Sequence, residues 1–421
     1  MSTITYDQLT IRHSSLQSVV LAVAILSSSV VFSEPAPVDI LMACFLALLC
    51  LTGGMQLGAL ALANLAMWLV IVAFGLIAAQ FSPEFVGAVK HQIVTLFLVL
   101  MAAAIASFVA NDPGPRGRLV LNCYTISLAV ACVFAYIGYF KLLPGAYDLF
   151  TNYGRARGSF KDPNVFGAAL GPAITYLCWR LIRTPDRRAL LPAAGCLFMT
   201  PALLINFSRG AWISAFISLA LMSLIAFART RRKSDRIRLT AYAVIGILAI
   251  AVTFTALLQI PKVGDLMRER ASLTQSYDEG PEGRFGGQSK AIQLVLDNPL
   301  GIGTHTFSRV HHHEQVHNVY LTMFQYSGWI GGFLFIASML TTFTVGLIKA
   351  MHPSDLQGAL AVSVAALAGL IVESLIIDSD HWRHFYIVLG LIWGLSDTVP
   401  TQIPSARRWY DTQRVSAEAA S

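Results

Sequence analysis

Cations placed just ahead of a helix start can grip an anion, and the segment Arg155-Ala156-Arg157-Gly158-Ser159-Phe160-Lys161-Asp162-Pro163-Asn164 has that form. Three basic side chains precede a turn that leads into an apolar run. Guanidinium forks and helix N-termini both favour phosphate oxygens. Asp162 or Asn164 would serve as the helix cap, a task that needs none of the cations. A further cation, Arg209, stands in Ser208-Arg209-Gly210 at the edge of another apolar run. An arginine in the centre of a bilayer costs roughly 2.5–3.5 kcal/mol and much less when it snorkels to the interface. Its polar neighbours Asn206 and Ser208 favour a polar pocket over simple escape to water. Arg284 lies in a Gly-rich stretch, where Gly286-Gly287-Gln288-Ser289-Lys290 lacks the Gly-Lys-Ser/Thr ending of a nucleotide-binding loop.

The run His311-His312-His313-Glu314-Gln315-Val316-His317-Asn318 supplies imidazoles. With an unperturbed pKa of about 6.5, an imidazole can take a proton from a hydroxyl near neutral pH. The run also holds a literal His-Glu-x-x-His, from His313 to His317. On one helix face those two histidines would bind zinc, with Glu314 as general base, and the chain would be a membrane-embedded metalloprotease. Against this, the motif sits at a loop-to-helix junction and has no clear third ligand beyond Glu373, Asp378 or Asp380. Matches of this kind are also cheap in a His-rich run. His311 and His312 read as solvated loop residues. Glu373, Asp378, Asp380, His381 and Arg383, clustered near a span end, read mainly as structural ion pairs.

The elements that must position these groups are membrane helices. Apolar residues make up 55% of the 421 residues and charged residues 13%, about half the charge of a soluble domain. With a mean hydropathy of +0.62, this excludes a soluble enzyme, a disordered chain and a nucleic-acid binder. Apolar runs predict spans at about 16–33, 38–53, 56–79, 86–109, 118–143, 164–182, 189–206, 210–228, 239–260, 318–348, 355–377 and 383–398. Lipid offers backbone amides no water, so each run must be a helix. The expected fold is an all-α polytopic membrane protein with about 12 transmembrane helices and one large periplasmic loop. Residues 1–260 would hold nine spans, 261–317 the loop, 318–398 three spans, and 399–421 a disordered cytoplasmic tail.

Orientation follows from the basic residues. More than half of the 30 lysines and arginines lie on alternate loops that start with the N-terminus, including Arg229, Arg231, Arg232, Lys233, Arg236 and Arg238. The positive-inside trend puts those loops and both termini in the cytoplasm. Arg155, Arg157, Lys161 and the cations of the long loop then cluster outside, against the trend, which calls for a function. The first apolar run reads as a retained span, not a cleaved leader. Cys44, Cys50, Cys123, Cys132, Cys178 and Cys196 lie in apolar stretches with no Cys-x-x-Cys pair and read as packing residues.

Four stretches in order resemble the O-antigen ligase and polysaccharide polymerase superfamily of bacterial inner membranes. They are Arg157-Gly158-Ser159-Phe160-Lys161-Asp162-Pro163-Asn164; Ser208-Arg209-Gly210-Ala211-Trp212; Arg284 followed by Asn298-Pro299-Leu300-Gly301-Ile302-Gly303 and Phe307; and His317-Asn318-Val319-Tyr320-Leu321 followed by Gly328. Gln288 stands where the family often has an aromatic. The resemblance implies metal-independent glycosyl transfer on the outer face, without a cofactor. The donor would be a glycan on a polyprenyl diphosphate. The acceptor would be lipid A–core for a ligase, or another lipid-linked glycan for a polymerase. It assigns His317, Arg209 and Arg284 to catalysis, and Arg155, Arg157, Lys161 and Asn318 to the lipid diphosphate, with no metal ligands. A secondary transporter is the third alternative, after the zinc protease, but the halves show no internal repeat of the kind transporters carry.

Overall fold

The computed structural model describes residues 6–184, 186–260, 263–266, 280, 283–352, 354 and 356–398. The expected tail at 399–421 and the polar opening of the long loop at 267–279 lie outside them. The principal helices are α1 (Tyr6–Leu26), α2 (Pro37–Leu51), α3 (Ala59–Ala78), α4 (Phe85–Asn111), α5 (Pro113–Tyr139), α6 (Ala146–Phe150), α7 (Pro163–Arg183), α8 (Leu190–Ile205), α9 (Arg209–Arg229), α10 (Lys233–Leu258), α11 (Arg284–Asp297), α12 (Val319–Met351), α13 (Gln357–Glu373) and α14 (Arg383–Asp397). Every apolar run read from the sequence is helical. Eight described helices are long and apolar enough to cross a membrane. The apolar parts of α1, α2, α13 and α14 are shorter; α2 and α14 have 15 residues each. At 1.5 Å per residue such a helix reaches about 22 Å, short of a hydrocarbon core of about 30 Å. Eight crossings, not about 12, are therefore supported by helix length and composition among the described residues.

Small residues set the packing. From Met101 to Val109 α4 is buried throughout, and α14 lies against it. Added Cβ atoms at Gly390 and Gly394 would come 2.6 and 2.5 Å from the carbonyl oxygens of Ala102 and Ala106. The two backbones therefore touch, as small residues four apart permit in membrane helix pairs. One polar cluster inside the bundle is paired throughout. Asn64 Oδ1 accepts from Ser338 Oγ at 2.7 Å and Thr342 Oγ1 at 3.1 Å, and Trp393 Nε1 donates to Thr342 Oγ1 at 2.9 Å. This cluster joins α3, α12 and α14. By contrast, Leu239 and Leu257 are the buried residues described along α10, whose apolar surface faces outward.

One break bears on the site. Gly328 interrupts α12 with φ +64° and ψ −172°. The 298–303 segment docks there: Trp329 N donates to Pro299 O at 2.8 Å, and Ile302 N and Gly303 N donate to Gln325 O at 2.8 and 3.1 Å. The hydrogen bonds lost by the helix are thus partly recovered by the incoming strand of chain.

Candidate active site

The basic segment is built on a small hairpin, the only departure from helix among the described elements' regular structure. Thr151–Asn152 and Arg155–Ala156 pair antiparallel, joined by Tyr153 and Gly154 at φ +49° and +72°. Two positive φ angles in a two-residue loop are the mark of a type I′ turn. Asp162 caps α7, its Oδ1 accepting from Asn164 N at 2.7 Å, and Pro163 occupies the first turn. Arg155 is threaded into this frame. Its Nε donates to Asn206 O at 2.8 Å, and an Nη donates to Asn164 Oδ1 at 2.6 Å. Arg157 braces the turn from inside, donating to Lys161 O and to Leu149 O, each at 3.1 Å. Lys161 is more exposed and lies 3.3 Å from Glu34.

The contact from Arg155 to Asn206 O leads to the second stretch. Asn206 Oδ1 accepts from Ser208 N at 2.7 Å, and Ser208 caps α9. Arg209 is the first residue of that helix, where a cation opposes the helix dipole; an anion at this point would relieve both. Gly210 packs on the turn after α13: a Cβ there would meet Glu373 Oε1 at 3.4 Å and Ile376 Cδ1 at 3.1 Å.

The same turn carries the seat of the imidazole. His317 has left-handed backbone, φ +53°, and its N–H donates to Asp378 Oδ2 at 3.1 Å. Its Nδ1 lies 3.8 Å from that oxygen, and its Nε2 lies 3.8 Å from Glu314 Oε2. Both are ion-pair distances, too long for hydrogen bonds. Thr322 Oγ1 donates to Asp378 Oδ1 at 2.6 Å and fixes the carboxylate. The side chain of His317 stays about one-third exposed, at 32%. Burial, then the Arg284 charge, pulls its pKa below the usual value, with Glu314 and Asp162 opposing. Asp378 is pushed up to about 6, by burial first and by neighbouring Asp380 second.

Arg284 opens α11 rather than lying in an irregular Gly-rich loop. The helix starts directly after Gly283, whose backbone is extended at the N-cap. Gln288, four residues on, shares a helix face with Arg284; its Nε2 donates to His317 O at 3.2 Å. Asn318 caps α12, its Oδ1 accepting from Tyr320 N at 3.1 Å and Leu321 N at 3.3 Å.

The four stretches therefore meet at one end of the bundle: Arg155 joins the first to the second, the 373–378 turn joins the second to the fourth, and Arg284 and Asp162 act electrostatically on His317. Residues 312–317 form no helix, so His313 and His317 do not share the face that a zinc hydrolase needs. Gln288, which holds the His317 carbonyl, and Thr322, which holds Asp378, carry no sequence motif that marks them. Asp378 was legible as a carboxylate near a span end, but its partner was not.

A family model described as O-antigen ligase matches residues 194–336. The matched third of the chain includes Arg209, Arg284, His317, Asn318 and Gly328, and excludes the 155–164 segment and Asp378. No curated protein matches the chain.

Proposed function

We propose, for a chain whose match over 194–336 supports the O-antigen ligase and polymerase superfamily, that it transfers a glycan from a polyprenyl diphosphate to an acceptor hydroxyl at the outer membrane face. The observation that carries this reading is the convergence of arginine-bearing helix starts on the end of the bundle that holds one partly exposed imidazole. In the reaction the acceptor oxygen bonds to the anomeric carbon of the donor, and the bond from that carbon to the diphosphate oxygen breaks. The hydroxyl proton passes to His317 and then to solvent; the lipid diphosphate leaves with the bonding electrons. Arg209 and Arg284, each at a helix start, would hold the diphosphate as its charge grows. Arg155 and Arg157, each anchored to the protein through two hydrogen bonds, would add positive field beside them, with Lys161 at the rim. Asn318 would act chiefly by fixing the helix start beside His317. A neutral imidazole, favoured by burial and by Arg284, suits the base role near neutral pH. No nucleotide is required, because the donor's own diphosphate is the activated leaving group, and in this reading the guanidinium groups supply the positive charge that a metal ion would otherwise bring to it.

In this reading the membrane is a bacterial inner membrane, as the resemblance implies, and the site faces the periplasm, on the side opposite the basic loops and both termini. Glycan profiling of a deletion strain separates the two acceptors. Loss of long chains from lipid A marks a ligase; accumulation of single lipid-linked units marks a polymerase. Complementation with Arg209→Ala or His317→Ala is expected to restore neither product while the protein still inserts. Full activity in either variant removes that residue from the mechanism.

A further inference from the structure

We propose that His91, Asp380 and His381 form a binding site for a divalent transition ion of the zinc class, with His305 as its outer fourth ligand. One donor atom from each of the first three residues lies within 4.8 Å of the others. His91 Nε2 is 3.1 Å from Asp380 Oδ2. The His91 and His381 rings stack with centroids 3.9 Å apart and planes at 22°, and the half-buried His305 ring stands edge-on to His91 at 6.2 Å. Zinc bonds of about 2.0–2.2 Å in a tetrahedron put donors about 3.4 Å apart. The His91–Asp380 separation is already close to that; the His381 ring, stacked on His91 in this structure, must turn out of the stack about its side-chain torsions to aim a nitrogen at the same ion. Two imidazoles and a carboxylate are a donor set that zinc and its neighbours prefer.

The lone pairs also point to a ligand. Thr95 Oγ1 lies 3.1 Å from His91 O, to which it donates, and 2.9 Å from His381 Nε2. A hydroxyl has one proton. With that proton on the His91 carbonyl, Thr95 accepts from His381 Nε2–H. The neutral ring then carries its lone pair on Nδ1, and Thr95 orients it as a second-layer partner does in metal sites. The frame is firm: Tyr386 Oη donates to Asp380 O at 2.7 Å, and Arg383 forms a forked pair with Asp39 at 2.7 and 2.6 Å.

An ion here would tie α4 to the 374–382 turn, two residues from Asp378. Its role is positional: it holds the carboxylate that seats His317 and touches neither donor nor acceptor. It is separate from the His311–His313 run.

The test uses full-length protein in detergent, stripped with a chelator and titrated with zinc by calorimetry and with cobalt(II) by visible absorption. One ion per chain is expected, with the strong visible bands of four-coordinate cobalt and a higher melting temperature when loaded. His91→Gln and Asp380→Asn should each weaken zinc binding about tenfold or more, while a triple alanine variant of His311, His312 and His313 should bind as the parent does. If a core variant does not fold, His305→Ala at the rim carries the test, through altered cobalt bands with the ion still bound. The proposal is overturned if the parent binds no stoichiometric ion. It is equally overturned if binding survives His91→Gln in folded protein, or follows the 311–313 variant.

Discussion

At the residue scale, the proposed chemistry rests on His317 being neutral where the cell works. Its pKa is lowered, so the folded protein disfavours the imidazolium. The associated stability is fully present above the unfolded value of about 6.5 and is lost as pH falls through the lowered folded value. The acid limb of kcat/KM should therefore lie below pH 6.5. Arg284→Ala removes a cation that lowers this pKa, so the limb of the residual activity should move to higher pH; a limb that stays put would separate Arg284 from the imidazole. The identities of Arg209 and His317 were legible because their types fit phosphate and proton chemistry. The seat on Asp378 was not, since it closes across 61 positions and nothing local marks it. His91 was hidden for a similar reason: it stands between Lys90 and Gln92 near the start of an apolar run, and its partners Asp380 and His381 come from the far end of the chain.

At the element scale, the helix starts do the positioning. Asp162, Ser208 and Asn318 each cap a helix that begins beside the site. Periodicity revealed these helices well, because lipid leaves little choice of backbone. It did not reveal the break at Gly328: Gln325, Ser327, Gly331 and Gly332 stand around it, but membrane helices carry small and polar residues without breaking. A Cβ at that position would lie 2.5 Å from Pro299 O, on a backbone with positive φ. Gly328→Ala should cost about 1–3 kcal/mol from backbone conformation alone, and more from the clash, read as a lower melting temperature in detergent. Ser208→Ala should cost about 1 kcal/mol through the lost cap and should reduce transfer through misplacement of Arg209. Unchanged turnover in that variant would argue that the helix start is held by Asn206 instead.

At the scale of the whole molecule, the forked pair between Asp39 and Arg383 fastens the first part of the bundle to the last. Both side chains are 14% exposed. Removing one partner strands a charge, so Arg383→Met should destabilise by about 3–5 kcal/mol, while Asp39→Leu combined with Arg383→Met should recover much of that. Chemical or thermal unfolding of the single and double variants distinguishes this from a pair that contributes nothing, for which neither change would register. The number of apolar runs was readable from composition, but their true lengths were not, because short helices such as α2 and α14 are completed by polar turns and not by more helix.

The hydrogen bond from Arg155 to the Asn206 carbonyl and the seat of His317 on Asp378 both cross the edges of the 194–336 segment. A chimera that grafts only that segment onto a related scaffold would carry the guanidinium and imidazole groups without either anchor. It should insert and remain inert, and transplanting residues 150–164 and 373–383 alongside it should restore turnover. The centre can be inherited only as a set of interlocking pieces, and recombination within such proteins should succeed where the exchanged blocks keep those two contacts together.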